Sequence, residues 1–191
     1  SEFWEWAMPK VREHLGTSAI EGWSLADIMA HVHEIKPGLI RVDADEATYP
    51  LHVIMRFEIE SELVSGALAP RDLPEIWDAK MQEYLGLSSI DNAADGPMQD
   101  VHWPSGAFGY FPSYTLGALI AAQQWAASEK ANPNVRGDVR NGDFACVNAW
   151  RHDNIWSKAS RYSTQEILRQ ATGEPLQARY FTEHLKRRYL A

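Results

Sequence analysis

The sequence predicts a mainly α-helical, bundle-like protein with one short strand or extended segment near residues 39–43. Three observations carry that expectation. Apolar residues recur at helical spacing, as at Phe3, Trp6, Ala7, Val11 and Leu15. Helix punctuation flanks such stretches: Ser24 and Asp45 as N-caps, Pro74 in a first turn, and Gly16, Gly66 and Gly86 just past last turns. Only Leu39-Ile40-Arg41-Val42 reads as short and β-prone.

Taken in order, residues 2–15 form a first helix, and Leu25 to about His33 a second that Lys36-Pro37-Gly38 breaks. A long helix runs from Glu46 to Ser65, with Leu51, Ile54, Met55, Ile59 and Leu63 as its apolar positions; at 1.5 Å per residue it spans about 30 Å. Leu73 to Leu85 follows. Ser113 to Lys130, carrying Leu116, Leu119, Ile120 and Gln123, stops at Asn132-Pro133-Asn134. Three helices complete the chain: Gly142 to about Trp156, Thr164 to about Ala171, and Leu176 to Tyr189. Residues 86–112 differ, holding Gly, Pro, Asn and Asp among Trp103, Phe108, Tyr110 and Phe111 without a helical period. A long aromatic-rich loop inside a compact chain points to function rather than disorder.

Composition narrows the function classes. The 191 residues are 45% apolar and 23% charged, enough for a globular core. A net charge of −8 argues against nucleic acid, because phosphate binding needs clustered Lys and Arg. The basic run Lys186-Arg187-Arg188 falls at a helix C-terminus, where cations suit the dipole. The single cysteine, Cys146, permits no internal disulfide and fits a reducing, cytoplasmic setting as a small buried hydrophobe. No apolar run reaches the ~18 residues of a membrane span. The chain opens on Ser-Glu-Phe-Trp-Glu-Trp, with neither an initiator Met nor a secretory leader, and reads as starting inside a helix.

Two segments gather chemistry. In Gly96-Pro-Met-Gln-Asp-Val-His-Trp103, an amide, a carboxylate and an imidazole lie within four positions, followed by Gly109-Tyr-Phe-Pro-Ser-Tyr114. A His can donate to a developing oxyanion, an Asp can fix its tautomer, and Tyr hydroxyls can bind either oxyanion or carboxylate. The same loop could equally tuck aromatics over a core. In Ile40-Arg-Val-Asp-Ala-Asp45, Arg41 could be a carboxylate fork or simply pair with Asp43 or Asp45. No His-Glu-x-x-His, Gly-x-Ser-x-Gly elbow or phosphate loop is present. His31-Val-His33-Glu34 is the nearest thing to a metal cluster, though on a helix the two imidazoles diverge.

Read together, Ile-Arg-x-x-Ala-Asp at 40–45 and Gly-x-x-Gln-Asp-x-His-Trp at 96–103 resemble two signature motifs of the carboxypeptidase Taq family. Glu46-Ala-Thr-Tyr-Pro-Leu-His52, Gly109-Tyr-Phe-Pro-Ser-Tyr-Thr-Leu-Gly117 and Gly173-Glu-Pro-Leu176 are similar to it as well. The resemblance implies the C-terminal region, 1–191, of a larger, mostly helical zinc carboxypeptidase that removes residues from peptide C-termini. It implies zinc, which cobalt may replace, held in the full-length enzyme by a His-Glu-x-x-His helix and a further Glu that lie before this chain. No metal is expected in the fragment, which would then be inactive alone. It also implies a homodimeric full-length enzyme and peptide substrates with a free C-terminus. By resemblance, Arg41 would bind the terminal carboxylate, and His102, Tyr110 and Tyr114 would serve the tetrahedral intermediate or the substrate carboxylate. Gln99 and Asp100 would orient His102, and Trp103 would form the body of the substrate-facing loop 86–112. Two other expectations remain beside this one: a metal-independent helical module that binds peptide C-termini, and a small metalloprotein built on His31, His33 and Glu34.

Overall fold

The computed structural model describes residues 2–16 and 21–190. Every regular element among them is helical: α1 Glu2–Leu15, α2 Leu25–Val32, α3 Tyr49–Ser65, α4 Leu73–Leu85, α5 Pro112–Ala131, α6 Val135–Arg140, α7 Ala145–Asn154, α8 Thr164–Thr172 and α9 Arg179–Tyr189. The segment expected as a strand or extended piece is extended at Ile40 and then closes into a 3-10 turn over Arg41–Asp43. The backbone packs as two units, one of residues 1–33 with 118–191, the other of residues 34–117.

In the second unit, α3 and α4 pack on each other. Their shared core is Met55, Ile59, Leu68, Trp77, Met81 and Leu85, all buried. Leu39, Leu51, Leu63, Leu73 and Ile76 close around it. Each fully buried side chain of this size contributes roughly 1.5–3 kcal/mol relative to exposure. The start of α3 is set by Asp45, whose carboxylate accepts from the Ala47 and Thr48 amides and the Thr48 hydroxyl, each at 2.9 Å. That turn delays the helix to Tyr49, three residues past the expected start. Gly66 and Gly86 end α3 and α4 in the left-handed conformation, as the sequence predicts.

Residues 86–111 then run as consecutive turns. Asp78 of α4 fastens their beginning, accepting the Ser88 hydroxyl at 2.8 Å and the Ser89 amide at 2.6 Å. Gly96 is required where it stands: a Cβ there would lie 2.9 Å from the Asn92 carbonyl oxygen.

In the first unit α1 packs on α6. Glu5 pairs with Arg140 at 2.7 Å, and Trp6 meets Phe144 edge-on at 5.3 Å. The helix expected from Gly142 to Trp156 is α7 flanked by a 3-10 turn, Trp156–Lys158, and α6 is an addition that the Asn132-Pro133-Asn134 break concealed. Capping boxes at Ser24 and Ser163 start α2 and α8. Cys146 is partly buried, its thiol donating to Asp138 at 3.3 Å.

Candidate functional site

The candidate site is built from one stripe of α3, the 39–43 turn, the loop 95–111 and the first turn of α5, all within the second unit. On α3, His52, Arg56 and Glu60 are spaced four apart and therefore share a face. All three are buried, at 0%, 0% and 5% exposure. Polar groups so deep call for partners: Arg56 and Glu60 find theirs in the loop, while the His52 carbonyl and Nδ1 face Arg56 Nη1 at 2.9 and 3.4 Å.

Asp100 is the centre of the arrangement. Its Oδ1 accepts from Arg41 Nε at 3.0 Å and Nη2 at 2.8 Å. Its Oδ2 accepts from Arg56 Nε at 2.6 Å. Burial alone would raise the Asp100 carboxyl, but the Arg41 hydrogen bonds and the Arg56 charge outweigh it and hold the group below the usual carboxylate range. Arg56 is lowered to about 10 by burial, opposed by Asp100, and remains a cation at neutral pH. Its guanidinium lies over the Trp77 ring, 4.6 Å from the centroid.

Arg41 is clasped on three sides. Its Nη1 donates to the Tyr49 hydroxyl at 2.8 Å, and its guanidinium lies over the Tyr114 ring at 5.1 Å. Gln99 sets its backbone: the Arg41 amide donates to Gln99 Oε1 at 2.8 Å, while Gln99 Nε2 donates to the carbonyls of Leu39 at 3.0 Å and Asp95 at 2.6 Å. Gln99 and Asp100 thus bond to Arg41. Asp100 comes only within 4.0 Å of His102 Nδ1, too far for a hydrogen bond.

His102 sits among aromatic rings, its centroid 4.4 Å from that of Phe111 and 5.5 Å from that of Tyr110. Its Nε2 lies 2.9 Å from the Tyr114 hydroxyl, and its Nδ1 is buried with no hydrogen-bond partner. The Asp100 carboxylate beyond Nδ1 favours the proton there, so that Nε2 accepts from Tyr114. Burial, with Tyr110 beside it, raises the Tyr114 phenol. Tyr110 is half exposed. Trp103 packs edge-on to Trp77 and Phe111.

All seven predicted residues therefore converge in one unit. The three α3 residues and Tyr49 were missed, although a His, Arg and Glu at four-residue spacing amid Val53, Met55 and Ile59 is a readable signal of a buried polar stripe.

With this geometry established, comparison places the chain. The carboxypeptidase Taq (M32) metallopeptidase family matches residues 1–189. The chain belongs to the M32 family. The M32 enzyme of Thermus thermophilus, thermostable carboxypeptidase 1, is 40% identical over 189 residues, which is 99% of this chain and 36% of that protein. Carboxypeptidase 1 of Bacillus subtilis is 40% identical over 166 residues, 87% of this chain and 33% of that one. In three dimensions the chain matches Trypanosoma cruzi metallocarboxypeptidase 1 with a TM-score of 0.93 at 40% identity, over 100% of this chain and 39% of the other. The chain thus spans about a third of the length of the curated relatives it matches.

M32 members are metallopeptidases by name. Among the described residues no three His, Cys, Asp or Glu side chains gather in a way that could hold an ion. Ser1, residues 17–20 and Ala191 add none of those donor types. His31 packs edge-on to Trp23 and His33 to Tyr189. No described helix is long and apolar enough to cross a membrane.

Proposed function

We propose that these residues form the C-terminal, substrate-facing region of a zinc carboxypeptidase that hydrolyses single residues from the C-termini of peptides. The observation that carries this reading is a charge imbalance: two buried guanidinium groups share the single Asp100 carboxylate. One unit of positive charge is left over beside Tyr49 and Tyr114 in a poorly solvated setting, where an arriving carboxylate is strongly favoured. Arg41 has five N–H groups, and three are engaged by Asp100 and Tyr49. The remaining two are the proposed fork for the terminal carboxylate. An internal peptide bond offers no such charge, which is the source of exopeptidase selectivity.

In this reading His102 stands beside the scissile carbonyl, with Tyr114 bonded to its Nε2. Tyr110, the more exposed phenol, is the hydroxyl free to meet substrate. Gln99 and Asp100 brace Arg41, and Trp103 anchors the loop 86–112. Zinc, replaceable by cobalt, and the general base are supplied by parts of the enzyme beyond these 191 residues, so the chain alone is inactive. The complete enzyme is proposed as a cytoplasmic homodimer. The same uncompensated charge of Arg41 and Arg56 also favours a second reading, a metal-independent helical module that holds peptide C-termini without cutting them.

Incubation of a free-carboxylate peptide and its amidated copy with the chain, with zinc added, tests these readings by mass spectrometry and calorimetry. The fragment reading expects no loss of residues. Weak binding of only the free-carboxylate peptide, reduced roughly tenfold or more by Arg41→Lys, fits the loss of a charged hydrogen bond. Chelator-sensitive removal of single residues would overturn the assignment of the metal to other parts of the enzyme.

A further inference from the structure

Glu60 lies one turn beyond Arg56 on α3 and is 5% exposed. Its Oε2 accepts the Trp103 indole N–H at 2.8 Å, and its Oε1 accepts the backbone N–H of Gly109. Trp103 follows His102 in the chain, and Gly109 precedes Tyr110. One carboxylate therefore grips the immediate neighbours of both side chains that the proposed site aims at the reacting carbonyl.

The segment between the two grips is closed on itself. The Ala107 amide and the Ser105 hydroxyl donate to the His102 carbonyl at 2.8 and 2.9 Å, and the Gly106 amide donates to the Trp103 carbonyl at 3.0 Å. Gly109 holds a φ of +76°, a left-handed conformation that suits glycine. The Trp103 indole is seated edge-on against Trp77 of the core, 6.2 Å between centroids. A short closed loop held at both ends moves as one piece, so the carboxylate sets where His102 and Tyr110 stand.

We infer that Glu60 is a positioning residue, which fixes the spacing and orientation of His102 and Tyr110 by bonding the residue beside each. The inference rests on the substrate-facing reading of the site. It makes a chemical distinction between Glu and its near-isostere. A carboxylate accepts two N–H donors with two equivalent oxygens, whereas a Gln amide accepts with one and presents an N–H₂ to the other donor. Glu60→Gln must therefore release either Trp103 or Gly109.

The test uses the complete carboxypeptidase to which these 191 residues are proposed to belong, in three forms besides the parent. Glu60→Gln breaks one grip, and Trp103→Phe breaks the indole bond while keeping an aromatic ring. Glu58→Gln is the control, a carboxylate on the same helix that binds Lys80 and Tyr84. With a free-carboxylate peptide, Glu60→Gln and Trp103→Phe are expected to lower kcat by roughly 10- to 100-fold, the cost of slight misplacement of reacting groups. KM should stay within about threefold, because Arg41 is untouched. Glu58→Gln should match the parent. The second readout needs no turnover: the ¹⁵N signals of the His102 ring should move in both loop variants and not in the control. If the parent cleaves no peptide, the functional reading fails and the ring spectra still decide the role of Glu60. Ring signals identical to the parent's in Trp103→Phe, or in a folded Glu60→Gln, would overturn the inference.

Discussion

His52 shows how a single buried residue couples this fold to pH. It is fully buried on α3, with Nδ1 3.4 Å from Arg56 Nη1. Burial, reinforced by the neighbouring Arg56 charge, lowers its pKa to about 4. An unfolded His takes up its proton near pH 6.5. Between those values the unfolded chain binds the extra proton and the folded one does not, so stability rises with pH across that window. Integrated to pH 5, the loss relative to pH 7.5 is about 2 kcal/mol, or roughly 4–8 °C in Tm for a chain of this size. Asp100 acts in a different range. Its carboxyl is held low in the fold, so its contribution is complete above about pH 4, the unfolded value, and fades only below it. Thermal melts of parent and His52→Asn at pH 7.5 and 5 separate the two groups. The variant keeps an acceptor for Arg56 and should lose most of the drop between those pH values. A drop of the same size in both proteins would assign the acid sensitivity to other groups.

At the scale of elements, helix caps and breakers were legible and tertiary polar contacts were not. Ser24, Gly66 and Gly86 act within one turn of their own position, and each does in the structure what its residue type dictates. The site residues were found through motif resemblance, but their pairing was out of reach: Asp100 stands two residues from His102 yet bonds to Arg41, 59 residues away. Ile40 and Val42 make Leu39–Val42 read as a short strand or extended segment; Ile40 is extended, and the Gln99 side chain then bridges Leu39 and Arg41 around a tight turn. Gln123 presents the same lesson in the first unit. The sequence places it as one position of a helix. The structure buries it fully on α5, where Nε2 donates to Thr172 at 2.8 Å and to the Pro175 carbonyl at 3.1 Å, and Oε1 accepts the Gln177 amide at 2.8 Å. That one amide ties α5 to the irregular chain between α8 and α9. Gln123→Leu leaves the Gln177 N–H and Pro175 carbonyl without partners, each costing about 1–3 kcal/mol. We expect urea unfolding to move by about 2–4 kcal/mol, and amide exchange to quicken first at Gln177. A shift within about 0.5 kcal/mol would mean that the strap contributes nothing.

For the molecule as a whole, surface chemistry sets two forces against each other. Ile54, Phe57 and Val64 lie on the outer side of α3 at 40%, 52% and 69% exposure, with Ser61 between them. Their three- and four-residue spacing is that of a helix face made for packing. Phe3, Trp23, Met98, Val101 and Trp156 are also exposed. Apolar surface of this kind drives association. The net charge of −8 opposes it, since two copies repel at neutral pH. Repulsion between exposed charges is screened by salt, the Debye length falling from about 30 Å at 0.01 M to about 3 Å at 1 M, whereas apolar burial is not. The isolated 191-residue chain is therefore expected to self-associate, and to do so more strongly as salt is raised. Light scattering across a concentration series at low and high sodium chloride measures both trends. Phe57→Glu, which puts a charge in the middle of the α3 stripe, should shift the balance back toward monomer. A sharp monomer at every salt concentration, with one cooperative melt, would mean that these side chains are exposed without being adhesive. Association that weakens with salt would place its origin in ion pairs instead.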